Sequence, residues 1–320
     1  MSKVIAGLEA ATWQPHALHG AARDWPQTNC HTDLWIEVLH ALGLPPQAAL
    51  GFTVTQDFEG DQFTFFKFPP EDLESLFGIV VQELAIYESV EAHVTEQIAR
   101  GRLALAEVDG FFLPDTAGAS YRTEHTKTTV GVNRLDVAGH AMDYFHNDGL
   151  FSLSGADFDG IFASASGPLF PYVEFAKFPA RYDPGGFHAK SCGLMQRHLS
   201  RLPARNPVAA WQEEFPAQIK ALAMRDPAHF HKYAFNTARQ TGANFGLLAA
   251  HLDWLTAGGE TGLEGARDAA LAFSSTAKSL QFQMARAVNR KKFDGLETLL
   301  GPLAGHWDAC IGALRARLPG

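Results

Sequence analysis

The rhythm of apolar and polar positions changes partway along the chain. In the first half, short runs of aromatic and β-branched residues stand between Gly, Pro and Asp, at 62–68, 103–108, 128–132 and 149–153. Runs of that make-up predict strands, and two or three helical stretches alternate with them. Beyond residue 205 the apolar positions recur at i, i+3 and i+4, which predicts helices over 207–223, 227–255, 263–288 and 293–318. Between the two regimes, 167–186 carries Pro168, Pro171, Pro179 and Pro184 and reads as an extended connection. The expected architecture is α+β: an N-terminal domain over 1–175 with an antiparallel sheet, a connecting segment over 176–205 and an all-helical region over 206–320.

Composition narrows the function. Hydrophobic residues are 46% and charged residues 19% of 320, ordinary for a chain with a sizeable core. The 26 Lys and Arg stand against 35 Asp and Glu, a net charge of −9, which argues against nucleic acid as the main partner. The apolar runs fall far short of the roughly 20 residues that span a bilayer. The first residues lack the apolar run and cleavage site of a signal peptide, so a cytoplasmic protein with no membrane partner is expected. Cys30, Cys192 and Cys310 form no Cys-x-x-Cys pair, which speaks against a zinc ribbon or a disulfide framework. With no Gly-rich phosphate loop either, no bound metal, nucleotide or flavin is expected.

One cysteine sits where chemistry is favoured. In the stretch 25–33, Thr28 or Asn29 suits a helix N-cap and Asp33 suits the first turn. Leu34, Trp35, Val38, Leu39 and Leu42 then form an apolar stripe that Gly43 and Pro45 end. Cys30 falls in the first turn, where helix N-terminal amides favour a thiolate over a thiol. A nucleophilic cysteine needs a base, and the base an orienting partner. His125 heads a predicted strand, and Asp143 lies on a second one, 138–145, joined to it by a turn. A hairpin of these strands is expected to set Asp143 beside His125. His146 is a rival base, and Asp109, Asp136 and Asp148 are rival carboxylates. The bland alternative for Cys30 is a small buried hydrophobe.

Asn29-Cys30-His31 opening a helix, then Val108-Asp109-Gly110-Phe111-Phe112-Leu113-Pro114, Tyr121-Arg122-Thr123-Glu124-His125 and 143–149, resembles the N-terminal domain of the butirosin-type acyltransferases. Those proteins have a papain-like core distantly similar to the bacteriocin-processing cysteine peptidases. The resemblance covers roughly 25–160, and the whole chain also resembles a bacterial family whose members accompany carrier proteins and their amino-acid ligases. It implies a papain-like N-terminal fold and transfer of an acyl or aminoacyl group from a carrier-protein phosphopantetheine thioester to an amine or similar acceptor. Cys30 would be the nucleophile, His125 the general base and acid, and Asp143 the residue that holds the imidazole. The Cys30 N–H would be one oxyanion donor. Papain-like enzymes take a second from a glutamine several residues upstream. Gln27, only three residues before the cysteine, departs from that spacing, so Gln27 or Asn29 is the candidate.

Other features carry two readings each. Asp109, Asp115 and Tyr121 either line an acceptor site or serve turns. The acidic run 57–62 lacks calcium-loop spacing and reads as a loop, and His229 and His231 fall on different faces of a helix. Arg286, Arg290, Lys291 and Lys292 are either a docking patch for an acidic carrier protein or a solvated helix end, and the apolar helices could equally build a homodimer. Two further functions remain open: a hydrolase on the same scaffold, whether peptidase, amidase or thioesterase, and a binding protein with an inert cysteine.

Overall fold

A computed structural model describes residues 3–165, 171–183, 185–293 and 295–318. The chain divides into two compact units, and neither is continuous in sequence. One comprises residues 1–19, 29–46 and 68–184, the other 20–28, 47–67 and 185–320.

The first unit is built on a six-stranded antiparallel sheet of order β1-β6-β2-β3-β4-β5. The strands are β1 (Val80–Glu83), β2 (Leu103–Asp109), β3 (Lys127–Asp136), β4 (Ala141–His146), β5 (Gly149–Ser154) and β6 (Val173–Lys177). Side chains alternate across a strand, so each parity serves one face. Ala104, Ala106, Val108, Val130, Val132, Met142 and Tyr144 pack with α3 (Val90–Ala99) and α4 (Ala156–Ser164). Positions of the other parity meet α1 (Cys30–Ala41): a Cβ at Gly131 would stand 3.4 Å from both Leu34 and Leu103. That glycine lets the helix lie close on the strand. The short α2 (Pro70–Phe77) precedes β1 and ends at Gly78, whose φ of 70° suits a residue without a Cβ.

The second unit is helical: α5 (Phe187–Leu199), α6 (Pro207–Ala223), α7 (Pro227–Ala234), α8 (Gln240–Ala257), α9 (Glu264–Arg290) and α10 (Leu300–Arg317). Its core holds Trp211, Phe215, Phe245 and Phe273, with Val54, Phe58 and Phe63 from the early segment 47–67. Trp25 also belongs here, donating from Nε1 to Ser274 Oγ at 3.1 Å.

The α+β expectation holds, with local corrections. Residues 62–68 form no strand; apart from a single bridge between Phe58 and Phe63 they run as irregular chain, in which Phe63 joins the helical core, Phe66 and Phe68 are buried and Phe65 is exposed. Tertiary burial, not strand pairing, uses Phe63, Phe66 and Phe68. The expected extended connection contains β6, and the segment 176–205 contains α5, whose Met195 and Leu199 are core residues. Residues 167–170 and 184 of that connection lie outside the described residues. The helix expected over 227–255 passes through a π-helical turn, Phe235–Arg239, between α7 and α8. Among the described residues no helix is long and apolar enough to cross a membrane.

Candidate active site

Cys30 is the first residue of α1 and half-buried. Asn29, in extended conformation, caps the helix by accepting from Thr32 N–H at 2.9 Å. The Asn29 side-chain oxygen is thus committed to the cap. Gln27 belongs to the helical unit, where its carbonyl accepts from the Arg239 guanidinium at 2.9 Å. The other two thiols are poorly placed for nucleophilic work. Burial, and then Glu260 beside it, pushes Cys192 up to about 11. Burial pushes Cys310 up to about 12. Neither presents appreciable thiolate near neutral pH.

His125 lies just before β3, within hydrogen-bond distance of Asp109 at the end of β2, Nδ1 to Oδ2 2.5 Å. The Nδ1–H donates to the carboxylate, and the ring stacks on Phe111 at 4.5 Å between centroids. Asp109 also accepts from Phe111 N–H at 3.0 Å, which fixes its carboxylate. The pair stands in a cleft of about 370 Å³ that Glu107, Lys127 and Ser164 also line. The side chain of His125 is 71% exposed.

Asp143 is not the partner of His125. The β3–β4 hairpin turns at residues 137–140, and its register sets Asp143 opposite Arg134. His125 lies nine residues before Arg134, a separation of about 30 Å along an extended chain. The strand end that reaches His125 is that of β2, because Asp109 opposes Lys127. Asp143 instead takes a bidentate pair from Arg134, at 2.8 and 3.0 Å, and a hydrogen bond from Ser152. Burial works to raise its pKa, yet Arg134, Ser152 and the Lys3 charge overcome this and hold it below the usual carboxylate range. It is a structural carboxylate. Among the described residues, neither Asp143 nor His125 is hydrogen-bonded to Cys30.

His146, the rival base, is buried and fully engaged. Its Nδ1–H donates to Asp115 Oδ2 at 2.5 Å and its Nε2 accepts from the Thr128 hydroxyl at 2.7 Å. Tyr144 donates to the other oxygen of Asp115, and burial followed by the Asp115 charge drives that phenol well above its ordinary value. This network pins the loop between β2 and β3, whose ends carry Asp109 and His125. The neck of the loop is tight: Gly110 N–H donates to Thr126 O at 2.8 Å, and a Cβ at Gly110 would lie 2.8 Å from Thr126 Oγ1. Tyr121 and Arg122 both tie the loop to Asp157. Tyr121 therefore serves the loop.

A second buried network sits under α1. Asp33 and Glu37, one turn apart, flank His19, with Nδ1 to Glu37 Oε1 2.6 Å and Nε2 to Asp33 Oδ1 3.4 Å. Glu37 also accepts from Trp13 Nε1 and His16 N–H. Burial opposes charge on the His19 ring, but the hydrogen bonds and charges of Asp33 and Glu37 win and push it up to about 9. Asp33 thus anchors the helix instead of merely facing its dipole. The remaining candidates are peripheral: Arg286, Arg290, Lys291 and Lys292 are exposed at the end of α9, and Asp57 is bound to its own turn through Phe58 N–H.

Against known proteins, the N-terminal domain of the DUF1839 family matches residues 14–178 and its C-terminal domain matches residues 187–316. No curated protein matches the chain. With the sheet unit's cysteine, histidine and aspartate inside the first match and the helices from α5 to α10 inside the second, the chain belongs to the DUF1839 family.

Proposed function

We propose that this chain is a cysteine-dependent acyltransferase with a papain-like N-terminal unit, taking an acyl or aminoacyl group from a carrier-protein phosphopantetheine thioester. The observation that carries the reading is the presence of two features in one unit. A capped helix begins with Cys30, and an adjacent antiparallel sheet ends in a histidine–carboxylate pair, His125 and Asp109. The first turn of α1 offers backbone N–H groups beside Cys30, and a fixed carboxylate orients the imidazole.

In the first half-reaction the Cys30 sulfur attacks the thioester carbonyl. The thiol proton passes through His125 to the departing phosphopantetheine sulfur, so one thioester replaces another. In the second, an acceptor amine attacks acyl-Cys30, and its proton returns through His125 to the Cys30 sulfur. Asp109 keeps Nδ1–H directed inward while Nε2 shuttles the proton. The Cys30 N–H supplies one oxyanion donor. The carrier brings the phosphopantetheine arm, and the acceptor enters as a small molecule or peptide.

A hydrolase is the second reading, and the exposure of His125 favours it: water reaching the imidazole would release the acyl group as acid. Intact-protein mass spectrometry with aminoacyl-loaded carrier protein separates the two. A gain of one acyl group on the wild type and none on Cys30→Ala supports transfer. Unloading of the carrier without an acceptor supports hydrolysis. No adduct and no unloading refutes both for the acyl groups tested.

A further inference from the structure

The C-terminal end of α9 concentrates positive charge. Several cations elsewhere on the described surface have carboxylate partners, as in Arg100–Glu96, Arg122–Asp157, Lys127–Glu107, Arg205–Glu213 and Arg317–Glu260. Arg286, Arg290, Lys291 and Lys292 lie within seven residues, all exposed, and among the described residues none has a carboxylate within ion-pair distance. This stands on a chain whose net charge is −9. Phe282, 63% exposed, lies one turn before Arg286 on the same helix.

Two further observations bear on the same place. Lys291 caps α9 at φ 52°, in the left-handed region where glycine is the favoured residue. A lysine there accepts backbone strain while placing a cation at the helix end. Directly after Lys292 the chain enters a groove of about 400 Å³ beside α6. Phe215, Pro216, Ile219 and Phe293 give it an apolar lining, with Lys220 and Glu297 at its rim. The exposed Met224 follows on from the groove at the end of α6.

We propose that the end of α9 and this groove form a docking surface for an acidic protein. The occupant is a protein that presents carboxylates to the cations and an apolar side chain to the groove. The four cations face its carboxylates, and the groove takes the side chain. A polyanion such as nucleic acid fits less well, because the groove offers it apolar surface and the chain as a whole repels it. The carrier-protein reading above supplies the occupant for the test, and the proposal rests on it.

The test is binding of an apo acyl carrier protein, with its serine unmodified, to the full chain by calorimetry at about 50 and about 300 mM salt. An apo carrier cannot donate an acyl group, so docking is read separately from chemistry. Arg286→Glu with Arg290→Glu is expected to weaken binding about tenfold at low salt and to flatten its salt dependence. Ala223→Glu, an exposed groove position on α6, is expected to weaken it independently. Arg201→Glu, an exposed cation after α5, is expected to change nothing. Circular dichroism and Cys30 alkylation confirm that each variant is folded. Absence of carrier binding, or binding indifferent to both perturbations, overturns the proposal. So does duplex DNA or an anionic vesicle that binds with the same dependence when the carrier does not. Binding without acyl transfer from a loaded carrier leaves the docking surface standing and removes the transferase; transfer that ignores the reversals does the opposite.

Discussion

The buried His19 between Asp33 and Glu37 makes the stability of the sheet unit depend on pH in a defined direction. The ring titrates near 6.5 in the unfolded chain and is pushed up to about 9 in the fold. A raised pKa contributes stability that is fully present below the unfolded value and is lost as pH climbs through the folded one. At about 1.4 kcal/mol per pH unit, the gap is worth on the order of 3 kcal/mol at pH 6. Roughly 2 kcal/mol remains at pH 7.5 and less than about 1 at pH 9. The ring is buried, so solvent screens this little. The assay is hydrogen exchange at α1 amides from pH 6 to 9.5, corrected for intrinsic exchange, beside imidazole NMR with His19→Gln to assign the resonance. Protection of α1 should weaken progressively above pH 7, and the His19 ring should still be charged at pH 8. A His19 resonance that titrates near 6.5 in the folded protein, or α1 protection that stays flat to pH 9.5, would refute the reasoning.

Three other expectations follow from the site. Asp109→Asn removes the orienting carboxylate and should slow acyl-Cys30 formation roughly a hundredfold without unfolding the chain, read by stopped mass spectrometry. Asp143→Asn should leave that rate near wild type while costing about 1–3 kcal/mol in denaturant unfolding, because the Arg134 guanidinium loses its bidentate partner. Equal rate losses in both variants would return Asp143 to the catalytic group. Native alkylation with iodoacetamide at pH 7.5 should modify Cys30 alone, since Cys192 and Cys310 are pushed up to about 11 and about 12. Peptide mapping that finds Cys192 labelled as fast as Cys30 would contradict this.

The sequence announced its elements more clearly than their partners. The β-branched runs at 103–108 and 128–132 became strands, and the 3.6-residue rhythm placed α6 and α9, because those signals are local. Asn29 was legible as a cap for the same reason. Pairing is not local. Proximity of Asp143 to His125 failed on register: a hairpin brings together positions equidistant from its turn, and His125 is much farther from residues 137–140 than Asp143 is. That symmetry was present in the chain and would have pointed away from Asp143, though not to Asp109, which needed the β2–β3 pairing across a 17-residue loop. His19 gave no local sign of its role, since its carboxylates lie 14 and 18 positions downstream on a helix that looked self-sufficient. Phe63 in the run 62–68 misled for a complementary reason: β-propensity measures fit to a half-buried surface, and a helical core offers one too.

The interleaved make-up of the two units constrains how the protein emerges from the ribosome. Residues 20–28 and 47–67 are synthesised early but are completed only by partners from α8 and α9, some two hundred residues later. At about 5–20 residues per second, Trp25, Phe58 and Phe63 wait on the order of ten seconds or more with apolar surface uncovered. A release of the chain near residue 180 would strand them permanently, and a fragment beginning at 187 would fold around holes where they belong. Newly made chains therefore carry this uncovered apolar surface until α8 and α9 are made, and the helical unit is completed only when both ends of the chain are present.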